Sequence, residues 1–377
     1  MRPLATLLCT LAPSAAALPI GRRLAPALRP ARSIVSACTA ADGNTDRMAT
    51  AVSADGSVSA KAVVTTNLVG EATRLQGLGG LAAAALGRAL TCSLLVADGL
   101  KDDETFQVNF NGDGPLRGVM ATANGALESR GYVGNPSVTL PANAKGKLDV
   151  GAGVGAGTLA VVRTKHLPGA DGPTQYSSIT QIRSGEVPED INYYLLESEQ
   201  RQGALAAGVF VSTSSGEALV DNAGGAPAQV VIGGIGGGVA ASAPASNGLR
   251  VEAAGGWMVQ LLPFAAEESI ATLEANIAAL QGRSPTSLVR DGLDGRAVVE
   301  LLLKGLEPQF APDKPVKSIA ESCQCSEARV LRTMALIPRE ELEAILKENE
   351  VIEAKCEFCG TLYRSTPGEV RARLTAD

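Results

Sequence analysis

The alternation of apolar and polar positions and the β-branched residues over Val58–Val69 (VSAKAVVTTNLV) predict a strand. From Glu71 to Leu100 the text turns to Ala and Leu, with few breakers beyond Gly77–Gly80, and predicts a long helix. Cys92 lies within it as a small hydrophobe facing the core. Short strand-like pieces follow: TFQVNF (105–110), LRGVMATA (116–123), ALESRGYV (126–133) and GTLAVVRTK (157–165). Turn signals such as Asn111-Gly112-Asp113-Gly114 separate them, which predicts an antiparallel sheet. Asp190–Gln202 predicts a helix with Ile191, Tyr194, Leu195 and Ser198 on one face. Residues 224–248 are rich in Gly and Ala and predict a flexible insertion ahead of a strand at 256–263 (GWMVQLLP).

Beyond Pro263 the period changes. Ile270, Leu273, Ile277 and Leu280 recur at helical spacing on a charged background, Gly282–Pro285 breaks the run, and Arg296–Lys304 starts a second short helix. Both are amphipathic and predict packing against the sheet. Further on, Ala328–Ile337 reads as helix, Pro338 restarts a helix at its first position, and Leu342, Ile345 and Leu346 line one face of it.

Composition narrows the function. Aromatic residues are 3% of the 377, so stacking platforms for nucleic acid are not expected. The net charge of −6 opposes phosphate backbones and anionic lipid. Outside the N-terminal stretch there is no uncharged apolar run of about 18 residues, so no membrane-spanning helix is expected. Residues 1–41 hold Arg2, Arg22, Arg23, Arg29 and Arg32 but neither Lys nor any acid, the composition of an organelle transit peptide. The apolar stretch Leu4–Leu18 ahead of the basic one resembles a secretory h-region. Such a two-part leader suits a plastid reached through the secretory route; a mitochondrion is the alternative. Without these five arginines the net charge moves from −6 to −11.

Neither Gly233–Gly238 nor Gly151–Gly157 satisfies G-x-G-x-x-G, and Gly146-Lys147 is followed by Leu148, so nucleotide binding is not expected. His166, the only histidine, reads as an exposed loop residue with no nucleophile to serve. Chemistry is left to four cysteines near the C-terminus. Cys323-Gln-Cys325 and Cys356-Glu-Phe-Cys359 are close pairs separated by 30 residues. Two such pairs can converge on one tetrahedral Zn²⁺ while the chain between them folds back, and Gly360 permits the tight knuckle. Closed four-thiolate sites are ordinarily structural. Residues two or three apart, however, can reach disulfide geometry without large chain movement. A C-terminal unit of about 55 residues also has too little core to fold without its metal. Oxidation would remove binding energy of about 10–16 kcal/mol and unfold the unit.

Several blocks of sequence resemble the heat shock protein 33 family of redox-regulated holdase chaperones. They are GDGPLRGVMATANG (112–125), RGYVGNP (130–136), KGKLDVGAGVGAGTLAVV (145–162), SGEVPEDINYYLLESEQ (184–200), AAGGWMVQLLP (253–263), and the C-terminal CQC and CEFCGTLY. The resemblance runs from about residue 58 to 365. It implies that Cys323, Cys325, Cys356 and Cys359 are zinc thiolates when reduced and form Cys323–Cys325 and Cys356–Cys359 disulfides when oxidised. It further implies that a helical linker then loosens, exposes apolar surface and binds unfolded or partly unfolded client proteins without ATP, commonly as a homodimer. The insertion at 224–248 and the loop around His166–Pro173 depart from the family pattern.

The expected architecture is α+β: a leader (1–41), an antiparallel-sheet core with packed helices (58–265), a helical linker (266–317) and a zinc-binding redox-switch domain (318–377). No catalytic residue is expected, and neither nucleic acid nor membrane is expected as a partner. The alternative is a constitutive binding protein with a purely structural zinc site. A thiol-disulfide oxidoreductase using Cys356 and Cys359 is disfavoured, because that motif belongs at a strand-to-helix turn of a thioredoxin-like unit, whereas here Gly360 and a strand-like TLY follow.

Overall fold

The computed structural model describes residues 46–144, 146–165, 172–213 and 248–374. The leader, the Gly/Ala insertion up to residue 247 and His166 lie outside the described residues. The chain opens on a hairpin of β1 (Arg47–Val52) and β2 (Val58–Val64), followed by α1 (Thr66–Gln76) and α2 (Gly80–Ala97). The expected strand over 58–69 therefore stops at Val64, and the expected single helix is two. Thr66 turns the chain because its hydroxyl accepts the Ala254 N–H at 3.0 Å, while the Asp46 carboxylate accepts the N–H groups of Asn67 and Leu68 at 3.1 and 2.8 Å. A cap supplied by a remote residue starts the helix where the local β-branched text argues against one. Burial outweighs these amides and raises the Asp46 carboxyl to about 6. α1 ends at Gly77, which is in the left-handed region at φ 66°.

The four expected strand pieces form a second sheet as β3 (Thr105–Gly112), β4 (Val119–Asn124), β5 (Ser129–Val133) and, after a short α3 (Val150–Val154), β6 (Gly157–Lys165), joined by β7 (Thr174–Gln181), which was not expected. Its order is β5-β4-β3-β6-β7, antiparallel throughout. α4 (Pro188–Glu199) buries Ile191, Tyr194 and Leu195, but Ser198 is exposed, one turn beyond the apolar stripe. β8 (Gly203–Thr213) and β9 (Leu249–Leu261) return to the first sheet, so the strand expected from 256 begins at Leu249.

Three helices follow: α5 (Glu267–Ala279), α6 (Pro285–Arg290) and α7 (Gly295–Leu302). α6 lies where only a break was expected; the Ser284 side chain caps it by accepting the Ser287 N–H. Two short strands, β10 (Gln309–Phe310) and β11 (Lys314–Pro315), pair with β1, so the linker ends as extended chain on the edge of the first sheet. The order there is β10-β1-β2-β9-β8. That sheet begins at Arg47, ahead of the boundary expected at 58. The C-terminal part holds α8 (Ile319–Ser322), α9 (Glu327–Met334), α10 (Arg339–Glu348), the hairpin β12 (Ile352–Lys355) and β13 (Leu362–Ser365), and α11 (Pro367–Leu374). Pro338 is the N-cap of α10 rather than its first residue.

α2 packs against both sheets and is buried except at Gly80 and Arg88. By length and composition, with Arg88 its one charge, it could cross a membrane, but 89% of it is buried in the core. A Cβ on Gly87 would lie 2.6 Å from Val209 and 2.7 Å from Val69, which is why this close approach needs glycine. The other face of the first sheet forms a separate core with the linker. Ala49, Ala51, Val58, Ala60, Ala62, Trp257 and Val259 from the strands meet Leu273, Leu288, Val298, Val299, Leu302 and Leu303. The period of two along each strand divides the sheet between these cores: Met48 and Val63 face α2, whereas Ala49 and Ala62 face the linker. Polar ties hold the linker in place. Ser269 donates to Asp55 at 2.6 Å, and Lys314 reaches the buried Asp98 at 2.8 Å.

Candidate metal centre

α8 ends directly at Cys323, its first turn fixed by a capping box of Ser318 and Glu321. Ser326 caps α9 immediately after Cys325. The second cysteine pair lies in a tight knuckle, in which the Gly360 N–H reaches the Cys356 carbonyl at 2.8 Å and the Cys356 N–H reaches that of Thr361 at 2.9 Å. Gly360 has φ 71°, and a Cβ there would lie 2.8 Å from the Leu75 carbonyl, so the knuckle sits against the end of α1.

The fold brings Cys323, Cys325, Cys356 and Cys359 together, with all four sulfurs within 4.8 Å of one another and half-buried. Cys323 Sγ lies 3.7 Å from Cys356 Sγ, and Cys325 Sγ 3.3 Å from Cys359 Sγ, so each thiol of one pair faces a thiol of the other. A tetrahedral ion about 2.3 Å from four sulfurs requires them about 3.8 Å apart, and this donor set fits that geometry. The cluster could hold a metal ion. Among the described residues no other group of metal-ligating side chains is so placed. Cys92, as expected, is fully buried in the main core, and burial pushes its thiol up.

Protons are shared unevenly in the cluster. The neighbouring Cys356 thiol, with the hydroxyl and amide of Thr361, draws Cys359 down, and the neighbouring Cys359 together with burial pushes Cys356 up. Burial pushes Cys323 up to about 11. Four adjacent thiols cannot all ionise without a compensating cation. Two hydroxyls complete the surroundings: Tyr363 donates to Cys325 Sγ at 3.1 Å, and Thr361 Oγ1 lies 3.1 Å from Cys359 Sγ. Sequence reasoning passed over both. The available signal was their spacing, since residues two apart in extended chain share a face.

The centre is docked on the core. Glu71 of α1 accepts the N–H groups of Ile319 and Ala320 at 2.8 and 3.1 Å, and Ile319 is fully buried in the main core. Gln76 donates to the Phe358 carbonyl at 3.2 Å, and the Phe358 ring meets Tyr132 edge-on at 5.9 Å with the Arg130 guanidinium over it. Lys317 pairs with Glu128 at 2.8 Å. The C-terminal part's own core is small, with Leu342, Leu346, Ile352 and Val370 as its buried members.

The chain is similar to known proteins over most of its length. The family model described as Hsp33 protein matches residues 46–233 and 237–366. A 33 kDa chaperonin of Acaryochloris marina is 35% identical, covering 86% of this chain and 95% of the relative. One of Symbiobacterium thermophilum is 36% identical over 86% of this chain and 96% of the relative. The crystal structure of the 33 kDa chaperonin (heat shock protein 33 homolog) of Thermotoga maritima superposes with a TM-score of 0.71 at 29% identity, covering 88% of this chain and 99% of that one.

Proposed function

This chain belongs to the Hsp33 family of chaperones, and from that premise we propose that it is an ATP-independent holdase switched on by oxidation of its cysteine centre. The observation that carries the reading is the convergence of four thiols in a C-terminal part with little core of its own. Zn²⁺ bound there would supply a cross-link between the two cysteine knuckles.

The chain's own residues supply the rest. Each disulfide formed by hydrogen peroxide takes two thiolates, two protons and one peroxide and releases two waters. The family resemblance implies Cys323–Cys325 and Cys356–Cys359 as the disulfides, and residues two or three apart can reach disulfide geometry without large chain movement. The docking contacts of α8 and the knuckle then lose their framework. α5 to α7, tied to the sheet face by one apolar layer and a few polar contacts, become free to lift. Their departure exposes Trp257, Val259 and an alanine-lined strip of the first sheet, together with the linker's own leucines and valines. Unfolded client proteins bind such surface without a catalytic residue. The activated form is a homodimer in this reading. The composition of residues 1–41 supports a plastid, ahead of a mitochondrion, as its compartment.

The test compares zinc-loaded, reduced full chain with peroxide-treated full chain in suppressing aggregation of a heat-unfolding client. Suppression confined to the oxidised form supports the switch. Equal suppression in both forms would make the cysteines a structural clamp and move the function to the sheet core.

A further inference from the structure

Two hydroxyls touch the cysteine cluster, one for each pair. Tyr363 Oη donates to Cys325 Sγ at 3.1 Å, and Thr361 Oγ1 lies 3.1 Å from Cys359 Sγ. The two sulfurs they address are the closer of the two facing couples, 3.3 Å apart. Backbone amides lie at the cluster as well, that of Cys325 at Cys323, those of Phe358 and Cys359 at Cys356, and that of Thr361 at Cys359. Cys325 and Cys359, the second cysteine of each pair, are the ones that also meet a side-chain hydroxyl. Thr361 and Tyr363 lie two apart where the chain enters β13, on one face, and that face looks into the cluster.

We infer that Tyr363 and Thr361 are positioning residues that set how tightly, and with what electron density, Cys325 and Cys359 hold a metal ion. The inference rests on the reading that the four cysteines bind metal. An O–H···S bond stabilises negative charge on sulfur and fixes the direction of its remaining lone pairs. Loss of such an outer partner costs about 10- to 100-fold in metal affinity. It also raises the energy of the sulfur electrons, so less energy is needed to move one onto a bound ion.

The experiment uses full chain loaded with Co²⁺ for spectroscopy and with Zn²⁺ for competition against a chromogenic chelator. Tyr363→Phe and Thr361→Val are compared with wild type, with Thr361→Ser, which keeps the hydroxyl, and with Tyr176→Phe on the exposed edge strand β7. In Tyr363→Phe and Thr361→Val the sulfur-to-cobalt charge-transfer band should move to lower energy and Zn²⁺ affinity should fall at least about tenfold. Thr361→Ser and Tyr176→Phe should match wild type in both. Unmoved bands overturn the inference even if metal is held more loosely, because both residues then act through packing; Thr361→Ser behaving as Thr361→Val overturns it too. Wild type that takes up no Co²⁺ sinks the metal reading itself, an outcome distinct from wild type and variants binding alike.

Discussion

Leu302→Ala is the sharpest probe of the linker as a detachable layer. Leu302 is fully buried in the core between α7 and the first sheet. Leucine-to-alanine replacements in cores cost about 2–5 kcal/mol, and the cost rises with the cavity that remains. Here the strands contribute Ala49, Ala51, Ala60 and Ala62, whose single methyl groups cannot swing into the space. The upper half of the range therefore applies, about 4 kcal/mol. If the linker opens as a unit, that raises the open population roughly 500- to 1,000-fold. The assay is hydrogen exchange of the 285–303 amides in zinc-loaded, reduced protein, run beside client aggregation. The expected result is lost protection in α6 and α7, retained protection in α2, retained zinc, and partial holdase activity without oxidant. Linker and α2 amides losing protection together would refute a separable layer.

Other predictions follow from particular contacts. Asp46 keeps its proton up to about pH 6 in the folded chain, whereas its ordinary value is 3.8. A raised carboxyl stabilises most below the unfolded value and loses that contribution as pH rises through the folded one, here on the order of 3 kcal/mol between about pH 4 and 6. Denaturant titrations of Asp46→Asn should lack that slope, and a slope equal to wild type would contradict the assignment. Burial pushes Asp98 up, but Lys61 and Lys314 outweigh it and leave its carboxyl below the ordinary range. Because Lys314 is half-exposed, Lys314→Ala should cost only about 1 kcal/mol, read as faster exchange at β11 rather than in α2. Glu71→Ala uncaps α8 from outside, should cost about 1 kcal/mol, and should speed zinc release to a chelator; Glu71→Gln, which still accepts hydrogen bonds, should change it less.

Features that depend on local text were legible in the sequence. Four of the five strands of the second sheet, all but β7, announce themselves by alternation and Gly-rich turns, and the Asp190 helix by Ile191, Tyr194 and Leu195. The cysteine pairs are legible because ligand spacing is itself local. What depends on remote partners was not. α1 begins inside β-branched text because Asp46 caps it across the hairpin. β1 carries little strand signal of its own and is held by β2 on one side and by β10 and β11 on the other. Those last two are too short to show a period, and only pairing with β1 makes them strands. The docking of Phe358 on Tyr132 and Arg130 joins segments more than 200 residues apart, which no spacing rule reaches. Thr361 and Tyr363 read as plain strand residues until the knuckle turns their face toward the sulfurs.

The most direct test of the switch is hydrogen exchange across the whole chain, zinc-loaded and reduced against peroxide-treated, with released zinc and client suppression measured on the same samples. The account predicts that protection in 266–317 and 318–374 falls in proportion to zinc released, that α2 and β9 stay protected, and that suppression appears over the same range. Client suppression arising while the linker amides remain fully protected would contradict it.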